Sequence, residues 1–182
     1  MPQRPIEARV AVAVRPKTPS REFAARVRMR DAARADIPTL VPLINDAYWA
    51  RDSWLFGEQR RTDRDELGAE LADTATTGIV AEVDGATAGF AVVRLRGDHA
   101  EFGLLATALQ FQSRGLARMI VERAEAIARA AHCREMVLHC IEENHLPPFY
   151  AALGYAETSR EHAPRWNSLE PFTLVEMRKA LS

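Results

Sequence analysis

Leu104-Leu-Ala-Thr-Ala-Leu-Gln-Phe-Gln-Ser-Arg-Gly-Leu-Ala-Arg-Met-Ile-Val-Glu-Arg-Ala-Glu-Ala-Ile-Ala-Arg-Ala-Ala131 is the stretch that decides how this chain folds. Its first residues read as a short apolar strand. Its second half places Leu116, Ile120, Ala124, Ile127 and Ala131 at helical spacing, one apolar stripe down a helix, with Glu125 and Arg129 as an i,i+4 pair on its solvent face. Between the two, Gln112-Ser-Arg-Gly-Leu-Ala117 has to turn the chain and open that helix. A helix start presents unpaired backbone N–H groups and the positive end of the helix dipole, so it suits a phosphate. Gly115 lets the backbone approach such a ligand, Ala117 keeps the next turn free of bulk, and Arg114 adds a positive charge beside it.

Outward from this stretch the elements follow in both directions. Glu135–Ile141 predicts a strand parallel to His99–Thr107, because a helix of this length joins them. Pro147 or Pro148 opens a helix through Leu153 that stops at Gly154, and Tyr155–Thr158 with Phe172–Arg178 predicts a closing hairpin. Upstream, Gly78–Val83, the Asp84-Gly85 turn and Ala86–Leu95 give the clearest hairpin in the chain, with a bulge expected near Gly89. A short helix precedes it, capped by Thr62 or Asp63, with Asp63-x-x-Glu66 as a capping box. Asp36 or Thr39 caps a helix through Tyr48, and Trp49–Arg61 reads as a polar-aromatic connector. Phe23–Arg30 predicts the first strand. Residues 1–22, rich in proline and basic side chains, read as a weakly ordered arm without catalytic role, ahead of one domain over residues 23–182. A transit peptide or a mis-called start codon fits that arm equally.

Composition narrows the function. A chain of 182 residues, 47% hydrophobic and 27% charged, fits a single globular domain. A formal charge of −1 gives no reason to expect nucleic acid or an anionic membrane as partner. No apolar run approaches the roughly 20 residues of a membrane span. Cys133 and Cys140 suit neither a zinc site nor a disulfide framework, so a cytoplasmic protein without a metal is expected.

Two signatures then carry a family resemblance. Gln112-x-x-Gly115-x-Ala117 resembles the acyl-CoA pyrophosphate loop of the GNAT-type N-acetyltransferases, and Pro147-Pro-Phe-Tyr-x-x-x-Leu-Gly-Tyr155 resembles their second signature, in which a tyrosine precedes Leu-Gly-Phe/Tyr. The element order matches as well: strand, two helices, three antiparallel strands, helix, strand, helix, two strands. The resemblance, over about Phe23 to Leu181, implies an α/β (α+β) GNAT fold. That means a mixed, mostly antiparallel sheet of six to seven strands with a splayed parallel central pair, flanked by about four helices.

The resemblance also implies acetyl transfer from acetyl-CoA to a primary amine of a small molecule or peptide, by direct attack. It places the pantetheine arm on backbone groups of Leu105 and Thr107, and the pyrophosphate on Gln112, Ser113, Arg114, Gly115, Leu116 and Ala117. Tyr150 aligns with the tyrosine that protonates the departing thiolate, and Glu101 with the carboxylate that serves as base directly or through water. The family's asparagine seven residues before the tyrosine is replaced by Glu143; Asn144 stands one residue late as the nearest cofactor contact.

Acyl transfer needs such groups. An alkylamine with pKa near 10.4 is neutral only about once in a few thousand molecules at pH 7, the carbonyl must be polarised, and a thiolate leaves better when protonated. His99 and His139 are rival bases; alternation with Val137 and Ile141 predicts a buried His139, while His132, His145 and His162 read as helix-end or loop residues. Glu58, Arg61, Arg165 and Trp166 are the candidates for acceptor recognition, Glu58 for a cationic amine and Arg61 for an acid. Two other readings keep the fold: a non-catalytic acyl-CoA sensor, and an acyltransferase using another acyl-CoA or an alcohol. A homodimer is left open.

Overall fold

Asp84 and Gly85 both take positive φ, 51° and 82°, so the strands Thr76–Val83 (β2) and Ala86–Arg96 (β3) are joined by the tight turn that Asp-Gly encodes. The chain around this hairpin is known from a computed structural model that describes residues 16–162 and 166–182. Before it come a helical turn, Arg21–Arg26 (α1), the strand Val27–Asp31 (β1), and two helices, Ile37–Phe56 (α2) and Arg64–Ala72 (α3). After it follow His99–Thr107 (β4), Leu116–Ala130 (α4), Glu135–Ile141 (β5), Pro147–Ala151 (α5), Ala156–His162 (β6) and Thr173–Ala180 (β7). The described strands form one seven-stranded sheet in the order β1-β2-β3-β4-β5-β7-β6. Every neighbouring pair is antiparallel except β4 and β5.

Two register slips shape the sheet. Ala81 pairs with Gly89 but Glu82 with Thr87, so Ala88 bulges, next to the glycine near which the sequence predicts a bulge. In β4 the slip is larger in consequence. Phe90 pairs with Ala106 and Val92 with Gly103, which leaves one extra residue in β4, and Leu104 takes φ 51°. A bulge reverses the alternation of faces. Ala100 and Phe102 accordingly pack with Leu116, Ile120 and Ala124 of α4. Leu104 and Ala106 turn to the opposite layer, with Leu40 and Ile44 of α2. A third, smaller cluster joins Leu55, Ile141 and Phe172 at the end of α2.

Three elements differ from the sequence reading. The chain from Phe23 to Arg26 is helical, because Ser20 Oγ caps the turn at the Phe23 amide (3.1 Å) and the Phe23 ring buries itself. The first strand therefore starts at Val27. Helix α2 runs eight residues beyond Tyr48, to Phe56, absorbing most of the expected connector. Asp36 stands at its start but spends its carboxylate on Arg30 (2.8 and 2.8 Å) and the Ala33 amide (2.7 Å). Asp63 does cap α3, through the amides of Asp65 (2.9 Å) and Glu66 (2.8 Å).

Glu125 departs from the solvent-facing position that its pairing with Arg129 suggests. The pair exists at 3.2 Å, yet Glu125 is only 3% exposed. Both its oxygens accept from Lys179 Nζ (2.8 and 2.8 Å), and the Tyr155 hydroxyl donates to it at 3.2 Å. This carboxylate thus ties α4 to β7. Glu125→Ala should cost roughly 2–4 kcal/mol of stability, because removing one member of a buried ion pair strands the others. Urea unfolding measures it; a change within about 0.5 kcal/mol would mean that Lys179 and Tyr155 resolvate freely.

Candidate active site

The site begins where two strands part. β4 and β5 pair only from His99–Phe102 against Glu135–Leu138; past that point β5 stays with β7 as far as Ile141 and Leu174. The bulge at Leu104 carries the rest of β4 away. The Ala108 amide donates to the Ala88 carbonyl (2.8 Å), so by alternation the peptide groups of Thr107 and Leu105 face the gap instead. A cavity of about 700 Å³ opens there, walled by both strands, by α2 and by the segment around Trp166. That volume suits a small-molecule site.

At the outer end of the gap lies the loop before α4. Ser113 and Gly115 take positive φ, 58° and 89°. Among the described residues the amides of Ser113, Arg114, Gly115, Leu116 and Ala117 find no acceptor, while that of Gln112 is spent on the Leu109 carbonyl (3.3 Å). The Gln112 side chain reaches back to the Thr107 carbonyl at 3.4 Å. Five amides at one helix start make a nest for an anion, and these residues fit a diphosphate.

The loop has a neighbour that the sequence did not announce. The Lys17 carbonyl and the Pro19 nitrogen lie 2.8 and 2.7 Å from where a Cβ on Gly115 would stand, and Arg118 donates to Thr18 (3.3 Å). Between this segment and the loop runs a cleft of about 420 Å³ lined by Lys17, Ser20, Arg26, Ser113 and Arg114 among others.

Inside the cavity the proposed chemical groups are within one enclosure. Tyr150, on α5, is buried, and its ring packs edge-on to Phe149 (5.0 Å) and Tyr155 (5.9 Å). Its hydroxyl hydrogen-bonds to no described residue, and Tyr150 lines the cavity. Burial raises its pKa above the ordinary tyrosine value, Tyr48 adds to the rise, and Arg51 opposes it. Glu101 lines the same cavity, half-exposed, 3.5 Å from Arg96. His139 is not buried as alternation suggested. Its side chain is 53% exposed, lines the cavity and stands 3.5 Å from Glu176. Cys140 also lines the cavity, its thiol pushed up to about 12, chiefly by burial.

Asn144 is engaged within the protein at both ends of its amide. Its nitrogen donates to Asp52 (2.8 Å), and its oxygen accepts from Trp54 Nε1 (3.1 Å). Arg51 chelates the same Asp52 (2.7 and 3.1 Å) and lies 4.3 Å from the Tyr48 ring centre. Tyr48, Arg51 and Asp52 all line the cavity, and none was singled out from sequence. The signal was present: Ile44, Tyr48, Asp52 and Leu55 continue the inward stripe of α2 at helical spacing. Arg61 and Trp166 line the cavity as well; Glu58 does not, and Arg165 lies outside the described residues. Among the described residues no group of three His, Cys, Asp or Glu stands ready for a metal, and no helix is long and apolar enough to cross a membrane.

Known proteins share this architecture. A protein of Salmonella typhimurium solved with its cofactor acetyl-CoA superposes with TM-score 0.72 at 19% identity, over 86% of this chain and 95% of that one. Spermidine N-acetyltransferase from Vibrio cholerae, in complex with CoA and spermine, gives 0.72 at 20%, over 86% and 96%. Ribosomal-protein-alanine N-acetyltransferase from Brucella melitensis gives 0.73 at 20%, over 85% and 99%. At such identities these likenesses establish the fold. The sequence match is separate: the profile of the acetyltransferase (GNAT) family fits residues 43–155, which run from α2 through the divergent strands to the tyrosines around α5. The chain belongs to the GNAT acetyltransferase family.

Proposed function

We propose that the protein transfers an acetyl group from acetyl-CoA to a primary amine by direct attack. The observation that carries this reading is Tyr150, its hydroxyl without a hydrogen bond to any described residue, on the wall of the cavity where β4 and β5 part. Acetyl-CoA supplies the activated acyl group. The amides of Ser113–Ala117 hold its diphosphate, and the gap-facing peptide groups of Leu105 and Thr107 orient its pantetheine arm and polarise the carbonyl. Glu101 accepts the amine's proton, directly or through water. Tyr150, kept protonated by burial, donates one to the leaving sulfur. Asn144 serves one step back, holding Asp52 and the end of α2 in place.

Direct attack, rather than an acyl-cysteine route, is supported by Cys140. With its thiol pushed up to about 12, next to no thiolate exists at neutral pH to carry an acyl group. Native protein at pH 8 should therefore react with iodoacetamide at Cys140 at least about 10-fold more slowly than denatured protein. Mass spectrometry reads this directly, and rapid native labelling would reopen the acyl-cysteine route.

The test of the function is release of free CoA from acetyl-CoA over a panel of amines. Amine-dependent release with a matching N-acetyl product is the expected outcome. Tight acetyl-CoA binding without turnover on any amine would replace this reading by that of a sensor on the same fold.

A further inference from the structure

The acceptor cavity carries one side of its charge unspent. Of the arginines on its wall, Arg51 is chelated by Asp52 (2.7 and 3.1 Å) and Arg94 by Glu70 (2.7 and 3.1 Å). The carboxylates on that wall are also engaged: Asp52 by Arg51 and Asn144, and Glu101 by Arg96 at 3.5 Å. Arg60 and Arg61 remain, with no carboxylate within ion-pair distance among the described residues.

Arg61 differs from Arg60 in being held in place. Asn45, on α2, clamps its peptide: Asn45 Oδ1 accepts from the Arg61 amide (2.7 Å) and the Thr62 amide (3.2 Å), while Asn45 Nδ2 donates to the Thr62 carbonyl (2.9 Å). The guanidinium then lies 5.1 Å from the centre of the Tyr48 ring, the same ring that Arg51 covers at 4.3 Å. A guanidinium over an aromatic face is attracted to the ring and keeps its N–H donors available. A guanidinium placed there without a counter-charge matches a carboxylate.

We infer that the acceptor is a small amine that also bears a carboxylate, an amino acid rather than a polyamine, and that Arg61 receives the carboxylate while the amine faces Glu101 and Tyr150. This rests on the transferase reading and names its substrate class. Trp49 and Trp166, 60% and 50% exposed, line the same cavity and offer an apolar side chain a surface.

The test needs no turnover. Trp49 and Trp166 line the cavity and Trp54 bonds to Asn144 on its wall, so all three tryptophans of the chain report on it by fluorescence. N-acetyl-L-leucine and N-acetyl-L-leucinamide differ only in the carboxylate. The free acid should bind about 10- to 100-fold more tightly, as expected for a charge-assisted bidentate contact. Arg61→Ala should collapse that ratio to near one, and Arg61→Lys should retain part of it. Equal affinities in the native protein, or no response to either compound, overturn the inference. A CoA-release panel separates the two levels. Faster turnover of leucinamide or polyamines than of leucine overturns the acceptor class but leaves acetyl transfer standing. Acid-selective fluorescence that depends on Arg61, without turnover of any amine, supports the carboxylate site and removes the transferase reading.

Discussion

Tyr150→Phe lowers turnover by about 10²-fold and leaves acetyl-CoA affinity within a factor of about two. Phenylalanine keeps the ring and therefore the edge contacts with Phe149 and Tyr155 that seat it. The lost hydroxyl takes no hydrogen bond from the described residues with it, so stability should change by less than about 1 kcal/mol. What disappears is a proton donor at the place where the thiolate departs. The pH profile gives a second check. Burial raises the pKa of Tyr150, so its neutral, donating form persists beyond the pH at which an exposed tyrosine ionises. The alkaline side of the native profile should accordingly show no decline near the ordinary tyrosine value of about 10. Steady-state kinetics at saturating acetyl-CoA measure both, and a variant with the native rate would return Tyr150 to a packing role.

Gly115→Val should weaken acetyl-CoA binding by at least about 10²-fold, for two reasons that can be separated. Valine disfavours φ 89° strongly, at a cost of order 1–3 kcal/mol. Its Cβ would also stand 2.8 Å from the Lys17 carbonyl and 2.7 Å from the Pro19 nitrogen, so loop and neighbouring segment both have to shift, taking the five amides out of register. Gly97→Val isolates the first effect, since Gly97 sits at φ 70° and a Cβ there would meet nothing within 4 Å. That variant should lose comparable stability and bind the cofactor normally. Calorimetric titration of the folded proteins decides; an unaltered affinity in the Gly115 variant would remove the diphosphate from this loop.

The parts of the fold that could be read from sequence were those in which local chemistry and tertiary packing agree. β4, β5 and α4 follow apolar periodicity, and the β2–β3 hairpin follows its Asp-Gly turn. The end of α2 went unread although Ile44, Tyr48, Asp52 and Leu55 keep helical spacing, since Asp52 and Trp54 look like connector residues until Asn144, far along the chain, supplies their partner. His139 misled for a related reason. Alternation predicts burial only where packing covers that face of the strand along its whole length, and at His139 the face opens onto the cavity. Tyr150 and Glu101, singled out by motif and strand position, both line the cavity. Arg61 was named from sequence, but its place beside Tyr48 goes with a side-chain clamp from Asn45 that leaves no local pattern.

The closeness of Lys17 and Pro19 to Gly115 makes the segment ahead of α1 part of the surroundings of the proposed diphosphate loop. An expression design trimmed to Ser20 therefore strips away one bank of the cleft beside Arg114. Affinities measured on such a shortened protein describe a different doorway from the one this chain presents.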